Sequence, residues 1–508
     1  MRISISYPPI ETAKGVPLLS QNRQFQYFNE PTYIYPVIPA YAATLLDRSG
    51  YDVTWDDGIA ERLTLEEYLK RQDFQSPDLI AIETKAPTAK TYWRYIEMFK
   101  ERWPHTRVAL MGDHVTAFPE ESLRNSPVDY VITGGDYDFQ LLSLADHLSK
   151  GTPLKPGFWW HEKDGTVRNN GFYQQDNEVS QLPLIDRDLT KWWLYVKNGN
   201  FKYEPGTYTM VGRDCWWRNG GGCTFCSWTM TYKKFQVRQP ESLLDEVEML
   251  YKRYGIREIF DDTGTFPAGV WLRTFCDGMI ERDLAFKIRI GCNMRFGALK
   301  EEDYRLMGKA GFRFILYGLE SANQKTLDRL QKGTTNEQAW ETLKWASKYG
   351  LDPHLTIMMG YPWETYEDAR NTVEFTKKVF KAGYAETLQA TIVIPYPGTM
   401  LWFQCKENGW LLTEDYDRYD MREAVMKSEL TNNQVKELTQ ELYKVFMEPK
   451  YVARKLLSIR SKDDLVFAKR GVKYVYGHLK DFAKGSEMRS TADMVVTRDH
   501  GIRGRSGE

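Results

Sequence analysis

Residues 214–228 read DCWWRNGGGCTFCSW. Three cysteines, Cys215, Cys223 and Cys226, stand in the spacing C-x7-C-x2-C, with Gly220, Gly221 and Gly222 in the wider gap. A structural zinc site takes four closed ligands. No fourth cysteine lies nearby, and the nearest histidines in sequence, His161 and His354, are far away. An iron–sulfur cube held by three thiolates leaves one iron open to a substrate or cofactor. Zinc with a remote fourth ligand, or cysteines that merely pack, are the competing readings. The three glycines let the backbone fold closely around a bulky inorganic core, and Phe225, between the last two thiols, is placed to shield it.

The run just before the cysteines, TYTMVGRD, reads as a β-strand, and it opens a series. REIFDDT, KIRIGCNMR, RFILYGLES, HLTIMMGYP and LQATIVIPYP follow it, separated by helical patterns. PESLLDEVEMLYKRYG places Leu243, Val247, Leu250 and Tyr254 on one face and stops at Gly255. TYEDARNTVEFTKKVFKAG carries Thr365 and Asp368 at its start, buries Val373, Thr376 and Phe380, and stops at Gly383. Six strand–helix units predict a partial (β/α)6 barrel of the TIM type over 201–410, with its chemistry at the carboxyl ends of the strands. The cysteines sit at such an end.

Upstream, RISISY, YDVTWDD, DLIAIET, RVALMGD and VDYVITGG alternate with helical stretches such as YPVIPAYAATLLDRSG. This rhythm predicts a doubly wound, Rossmann-like parallel sheet over 1–150, so the whole chain is α/β. Its ligand loops fall at Glu83 and Thr84, at Gly112 to His114, and at Gly134, Gly135 and Asp136. Residues 151–200, rich in turn formers and tryptophan, read as a structured linker; 411–484 read as helical, and 485–508 as a disordered tail.

The 508 residues carry a formal net charge of -1, which makes no electrostatic case for nucleic acid. No apolar run is long enough to span a bilayer, and MRISISY lacks the apolar core of a signal peptide, so the expected location is the cytoplasm. Six cysteines in such a length are no secreted disulfide framework, and Cys276, Cys292 and Cys405 read as small buried apolar residues. The 16 tryptophans, 31 tyrosines and 24 phenylalanines are read mainly as core, so they say little about substrate.

Several stretches, in order, resemble the radical S-adenosylmethionine (SAM) enzymes, and within them the subgroup with an amino-terminal cobalamin-binding domain. GDHVTAFPEE and VDYVITGGDYD are similar to that subgroup's cobalamin-domain signatures, and CTFCSW to the second half of its cluster motif. IFDDTGTF, LYGLESANQKTLDRLQKGTT, MMGYPWET and VIPYPGTMLW resemble the stretches ending the second, fourth, fifth and sixth barrel strands. Two departures stand out. The family spaces its ligands C-x3-C-x2-C, so the first gap here is four residues longer, and the first 150 residues hold no D-x-H-x-x-G.

The resemblance implies a [4Fe-4S] cluster on Cys215, Cys223 and Cys226, with SAM on its open iron. Asp261 or Asp262 would take the SAM amine, Arg295 its carboxylate, and Glu320 with Ser321 the ribose or amine; Phe225, Gly360 and Ile394 would flank the adenine. Glu83, Thr84, Gly112, His114, Gly134, Gly135 and Asp136 would face cobalamin, with His114 positioning a loop rather than binding cobalt. The implied activity is reductive cleavage of SAM to a 5′-deoxyadenosyl radical and, with cobalamin, methylation of an unactivated carbon of a small-molecule or lipid-like substrate. An external donor such as flavodoxin or ferredoxin would supply the electron. DLIAIETKAPT and CTFCSWTMTYKKFQVRQPESLLDEVE look most like a hopanoid-biosynthesis branch that remodels a sugar-derived side chain without methylating it. A non-enzymatic cluster or cobalamin carrier is the third reading.

Overall fold

The structure, a computed structural model, describes residues 1–18, 25–28, 31–196 and 201–481; the tail read at 485–508 lies outside them. Strands β1 (Arg2–Tyr7), β2 (Asp52–Asp57), β3 (Leu79–Glu83), β4 (Arg107–Met111) and β5 (Tyr130–Ile132) pair in parallel in the order β2-β1-β3-β4-β5. The chain steps outward from β1 to β2, then back across to β3, so the strand order reverses between β1 and β3. Ligand clefts of doubly wound sheets lie at that reversal, beyond the strands' carboxyl ends. β3 is buried at every position, as a strand covered by helices on both faces must be.

The stretch read as a linker is in part sheet. β6 (Phe158–His161) and β7 (Val167–Asn169) form a hairpin that extends the first sheet antiparallel to β5. Asp164 and Gly165, the latter at φ +82°, turn it, a hairpin signal overlooked between the tryptophans. The following segment is bolted to the barrel. Arg187 donates to Thr207 Oγ1 (2.9 Å), Tyr208 O (2.9 Å) and Glu246 Oε1 (3.1 Å), all buried.

The second sheet contains β8 (Gly206–Thr209), β9 (Glu258–Asp261), β10 (Arg289–Met294), β11 (Phe312–Glu320), β12 (Asp352–Met359) and β13 (Thr387–Ile392), all parallel and in chain order. This is the partial barrel. Its outer helices form where the apolar period demands them: Pro240–Tyr254 buries Leu243, Val247 and Leu250 and ends at Gly255 (φ +63°), and Tyr366–Ala382 is opened by a Thr365–Asp368 capping box. Tyr208, Phe260 and Phe314 carry the core of the first sheet into the barrel interior.

Helix Asn432–Tyr443 packs along the open edge at β13, where Tyr443 Oη pairs with the backbone N and O of Ala390 at 3.0 Å each. Two further helices, Pro449–Ser458 and Lys462–Asp481, lie against the strands' amino ends, held by Lys202–Asp464 (2.6 Å) and Arg470–Glu204 (2.7 Å). The region read as helical is therefore helical from 432, and the segment before it is mostly irregular. Among the described residues no helix is long and apolar enough to cross a membrane.

Candidate active site

The cysteines come together because the chain past β8 folds sharply on itself. Asp214 takes a left-handed conformation (φ +72°), and its carbonyl accepts from Gly264 N at 3.0 Å. A side chain at Gly264 is excluded there: its Cβ would stand 2.6 Å from Asp214 O and 3.0 Å from Cys215 Cβ. Residues Trp216–Gly220 make one 3₁₀ turn, and Gly221 and Gly222 (φ +101° and +74°) return the chain to Cys223. The four extra residues of the first gap are thus taken up in a turn that carries Trp216 and Trp217.

Cys215, Cys223 and Cys226 all line one cavity of about 800 Å³. They are partly exposed, whereas Cys276, Cys292 and Cys405 are buried, as the sequence suggested. Cys215 Sγ lies 3.0 Å from Thr265 Oγ1, and Cys223 Sγ lies 3.9 Å from Arg295 Nη1. Burial pushes the Cys223 thiol up, while Lys332 and Arg295 pull it down. Three soft donors lining one cavity, with Lys332 and Arg295 near Cys223, are the donor set that an iron–sulfur core takes.

Around the same cavity stand Phe225, Asp262, Arg295, Glu320 and Ile394. Arg295 is clamped, with its guanidinium over the Trp217 ring at 4.2 Å while it donates to the carbonyl of Lys332. Glu320 sits at φ +62°, beside a register shift between Gly318 and Glu320 that turns its carboxylate into the cavity, where it accepts from Lys332 Nζ at 2.6 Å. Asn293 Nδ2 donates to Asp262 Oδ1 at 3.2 Å.

Asp261, Ser321 and Gly360 are not part of that wall. Asp261 Oδ2 accepts from Thr209 Oγ1 (2.8 Å) and Val211 N (2.9 Å), so it fastens β9 to β8. Adjacent residues of a strand face opposite ways, and the inward one is Asp262. Ser321 turns outward to Glu364 Oε1 (2.7 Å), and Gly360 faces Val435 of the C-terminal helix. Sequence reasoning missed Lys332 and Trp217, although both lie inside quoted motifs. Nothing local in those motifs says that Trp217 Nε1 will donate to Gln331 O at 2.8 Å and so lay its ring across the barrel mouth.

None of the seven strand-end residues of the first sheet is among the described residues that line this cavity. A Cβ at Gly134 would meet the Tyr173 ring at 2.3 Å, and one at Gly135 the Tyr232 ring at 2.4 Å. One at Gly112 would stand 2.1 Å from the carbonyl of Thr84. Asp136 is engaged by Tyr173 Oη (2.6 Å), and Glu83 by Tyr7 Oη (2.5 Å), with burial raising both carboxyls. His114 is buried among Trp93, Phe118 and Tyr416, with Nε2 3.1 Å from Glu121. Aromatic rings of this chain therefore pack directly against Gly134 and Gly135. The first domain reaches the cavity instead through Leu18, Phe28, Thr32 and Ile34.

Residues 210–376 match the radical SAM superfamily. The chain is 29% identical over 430 residues to an uncharacterised methyltransferase of Pyrococcus horikoshii, covering 82% of this chain and 89% of the relative. It is 24% identical to the anaerobic magnesium-protoporphyrin IX monomethyl ester cyclase of Cereibacter sphaeroides, over 90% of this chain and 73% of that one. Among solved structures it superposes with a TM-score of 0.66 on the radical SAM methyltransferase TsrM of Kitasatospora setae, determined with cobalamin and a [4Fe-4S] cluster bound, at 15% identity and covering 94% of this chain and 99% of that one. That likeness shows a shared fold. The cysteines thus line the cavity of a six-stranded partial barrel that follows a doubly wound sheet, within the region that matches the radical SAM superfamily.

Proposed function

We propose that this chain is a radical SAM enzyme whose [4Fe-4S] cluster is held by Cys215, Cys223 and Cys226, and that it methylates an unactivated carbon with the help of cobalamin. The observation that carries the reading is the convergence of those three thiols with Asp262, Arg295 and the Glu320–Lys332 pair on one cavity. When bound, the cluster supplies one electron that splits the SAM sulfonium into methionine and a 5′-deoxyadenosyl radical, and cobalamin supplies a methyl carrier.

The chain's own part is binding, orientation and exclusion of water. Arg295, held over the Trp217 ring and donating to the Lys332 carbonyl, offers the rest of its guanidinium to a carboxylate. Asp262 offers a carboxylate for an ammonium group, and Phe225 and Ile394 give an apolar wall for a purine. Lys332 neutralises Glu320, leaving its second oxygen to accept from a hydroxyl. Leu18, Phe28, Thr32 and Ile34 form the side of the cavity that a corrin would meet.

Reconstitution without oxygen tests this directly. The iron-loaded protein with SAM and reductant should release 5′-deoxyadenosine, and addition of cobalamin should give a product heavier by one methyl, with S-adenosylhomocysteine. The electron donor is expected to be a flavodoxin or ferredoxin. The alternative is radical remodelling without methyl transfer. It predicts turnover in protein free of cobalt and a product without the added methyl.

A further inference from the structure

The cavity does not end at the cysteines. It continues along the barrel interior past Phe260, Phe314 and Leu388 and reaches the C-terminal helices, where Val452, Leu456, Val472 and Tyr476 line it. The same four side chains open to the outside, at 39%, 64%, 72% and 61% exposure. Residues that both line a bore and face outward mark its mouth. Strand β11, nine residues long, runs the depth of the barrel, so mouth and cysteines are roughly 25–30 Å apart. That is the reach of an elongated molecule.

The surface around the mouth is apolar and basic together. Leu457 is 80% exposed, and Leu465 and Val466 are also exposed. Leu465, Val472 and Tyr476 are spaced by seven and four residues, and Val452 and Leu456 by four, so each helix carries one exposed apolar stripe that borders the mouth. Over 449–477 eight Lys and Arg stand against two Asp, a balance of +6 in a chain of net charge -1. Both aspartates face inward, Asp463 to Arg257 and Asp464 to Lys202. Lys450, Arg460, Lys462, Lys469 and Lys473 are exposed.

We propose that the outward faces of helices Pro449–Ser458 and Lys462–Asp481 dock this protein on an anionic phospholipid surface, with the barrel mouth against it. Exposed aliphatic side chains enter the headgroup–acyl boundary, and the flanking lysines and arginines meet anionic headgroups. An acidic protein partner would account for the charge, but leaves the aliphatic rim of an apolar bore unexplained. The docking surface stands apart from the chemistry proposed above. The consequence that an amphiphilic substrate enters from the lipid rests on that chemistry.

Sedimentation of the full chain with vesicles tests the proposal. Binding should be at least about tenfold tighter to phosphatidylcholine vesicles containing phosphatidylglycerol than to phosphatidylcholine alone, and should weaken with salt. The paired variant Leu457→Glu/Val466→Glu, outside the cavity lining, should lose most of that binding while 5′-deoxyadenosine formation from SAM and reductant is unchanged. Equal, weak binding to both vesicles, or parent-like binding by the variant, overturns the proposal. So does a dimer in light scattering that Leu457→Glu splits, which would make the face a self-interface. Vesicle binding without any 5′-deoxyadenosine would leave the docking surface standing and remove the catalytic reading.

Discussion

The Trp217 ring lies under the Arg295 guanidinium, whose central carbon is 4.2 Å from the ring centroid. The same tryptophan crosses Gly333, where a Cβ would come within 2.1 Å of the indole. The longer first gap of the cysteine motif thus supplies a plate on which Arg295, the residue proposed to bind a carboxylate, rests. A cation over an indole contributes about 0.5–2 kcal/mol, and the Lys332 carbonyl, which accepts from Arg295, helps set the direction of the guanidinium.

Arg295→Lys should keep the charge and lose the fork. SAM binding is expected to weaken about tenfold, with the visible spectrum of the cluster unaltered. Trp217→Ala should weaken it by a smaller factor, and Trp217→Phe by less again. Equilibrium dialysis of SAM against each reconstituted variant checks the order.

Single alanine substitutions separate the six cysteines into two classes. Cys215→Ala, Cys223→Ala and Cys226→Ala should each lose most of the roughly four irons expected of a cube. Cys276→Ala, Cys292→Ala and Cys405→Ala should retain them, since all three thiols are buried. Iron and sulfide analysis after anaerobic reconstitution reads the outcome. An unaltered iron content in Cys215→Ala would remove it from the ligand set.

Glu246 is the hinge of a buried charge cluster. It accepts from Arg187 at 3.1 Å and Arg238 at 2.7 Å, and those arginines hold its carboxyl below the usual range despite burial. Glu246→Ala leaves two guanidiniums without their shared carboxylate, which should cost about 3–5 kcal/mol. Urea unfolding should show a lower midpoint. Because Arg187 belongs to the segment between the two sheets, domain coupling should loosen too.

Asp57 provides a pH-dependent test. Its side chain is buried, accepts from Tyr195 Oη at 2.6 Å and Ala60 N at 2.8 Å, and burial raises its carboxyl from 3.8 to about 6. Between those values the folded protein binds a proton that the unfolded chain does not. The stability from this group is present below pH 3.8 and lost as pH rises through about 6. Relative to Asp57→Asn, the parent should lose up to about 3 kcal/mol between pH 4 and pH 7, measured by unfolding of both proteins in parallel.

Much of the architecture was legible because strand and helix periods are local. The five parallel strands of the first sheet and the six of the barrel fall on the apolar runs read from the chain, and the helix stops fall at Gly255 and Gly383. The hairpin at β6 and β7 was missed because tryptophan-rich, turn-rich sequence hid an Asp–Gly turn. At the site, Cys215, Cys223, Cys226, Asp262, Arg295 and Glu320 all line one cavity, and each lies at or just past a barrel strand's carboxyl end, a position that the strand pattern makes legible.

What the amino-acid sequence determined by itself was the alternation of elements and the odd number of clustered thiols, for both are properties of near neighbours along the chain. Tertiary structure decided which of two adjacent carboxylates looks inward, since barrel closure alone defines an inside for Asp262 and leaves Asp261 to fasten two strands. It also decided that Tyr173 and Tyr232 cover the strand-end glycines of the first sheet, and that the bore runs on to Val472 and Tyr476. Those contacts join residues far apart in sequence, and nothing in a local pattern encodes the direction in which a distant ring will pack.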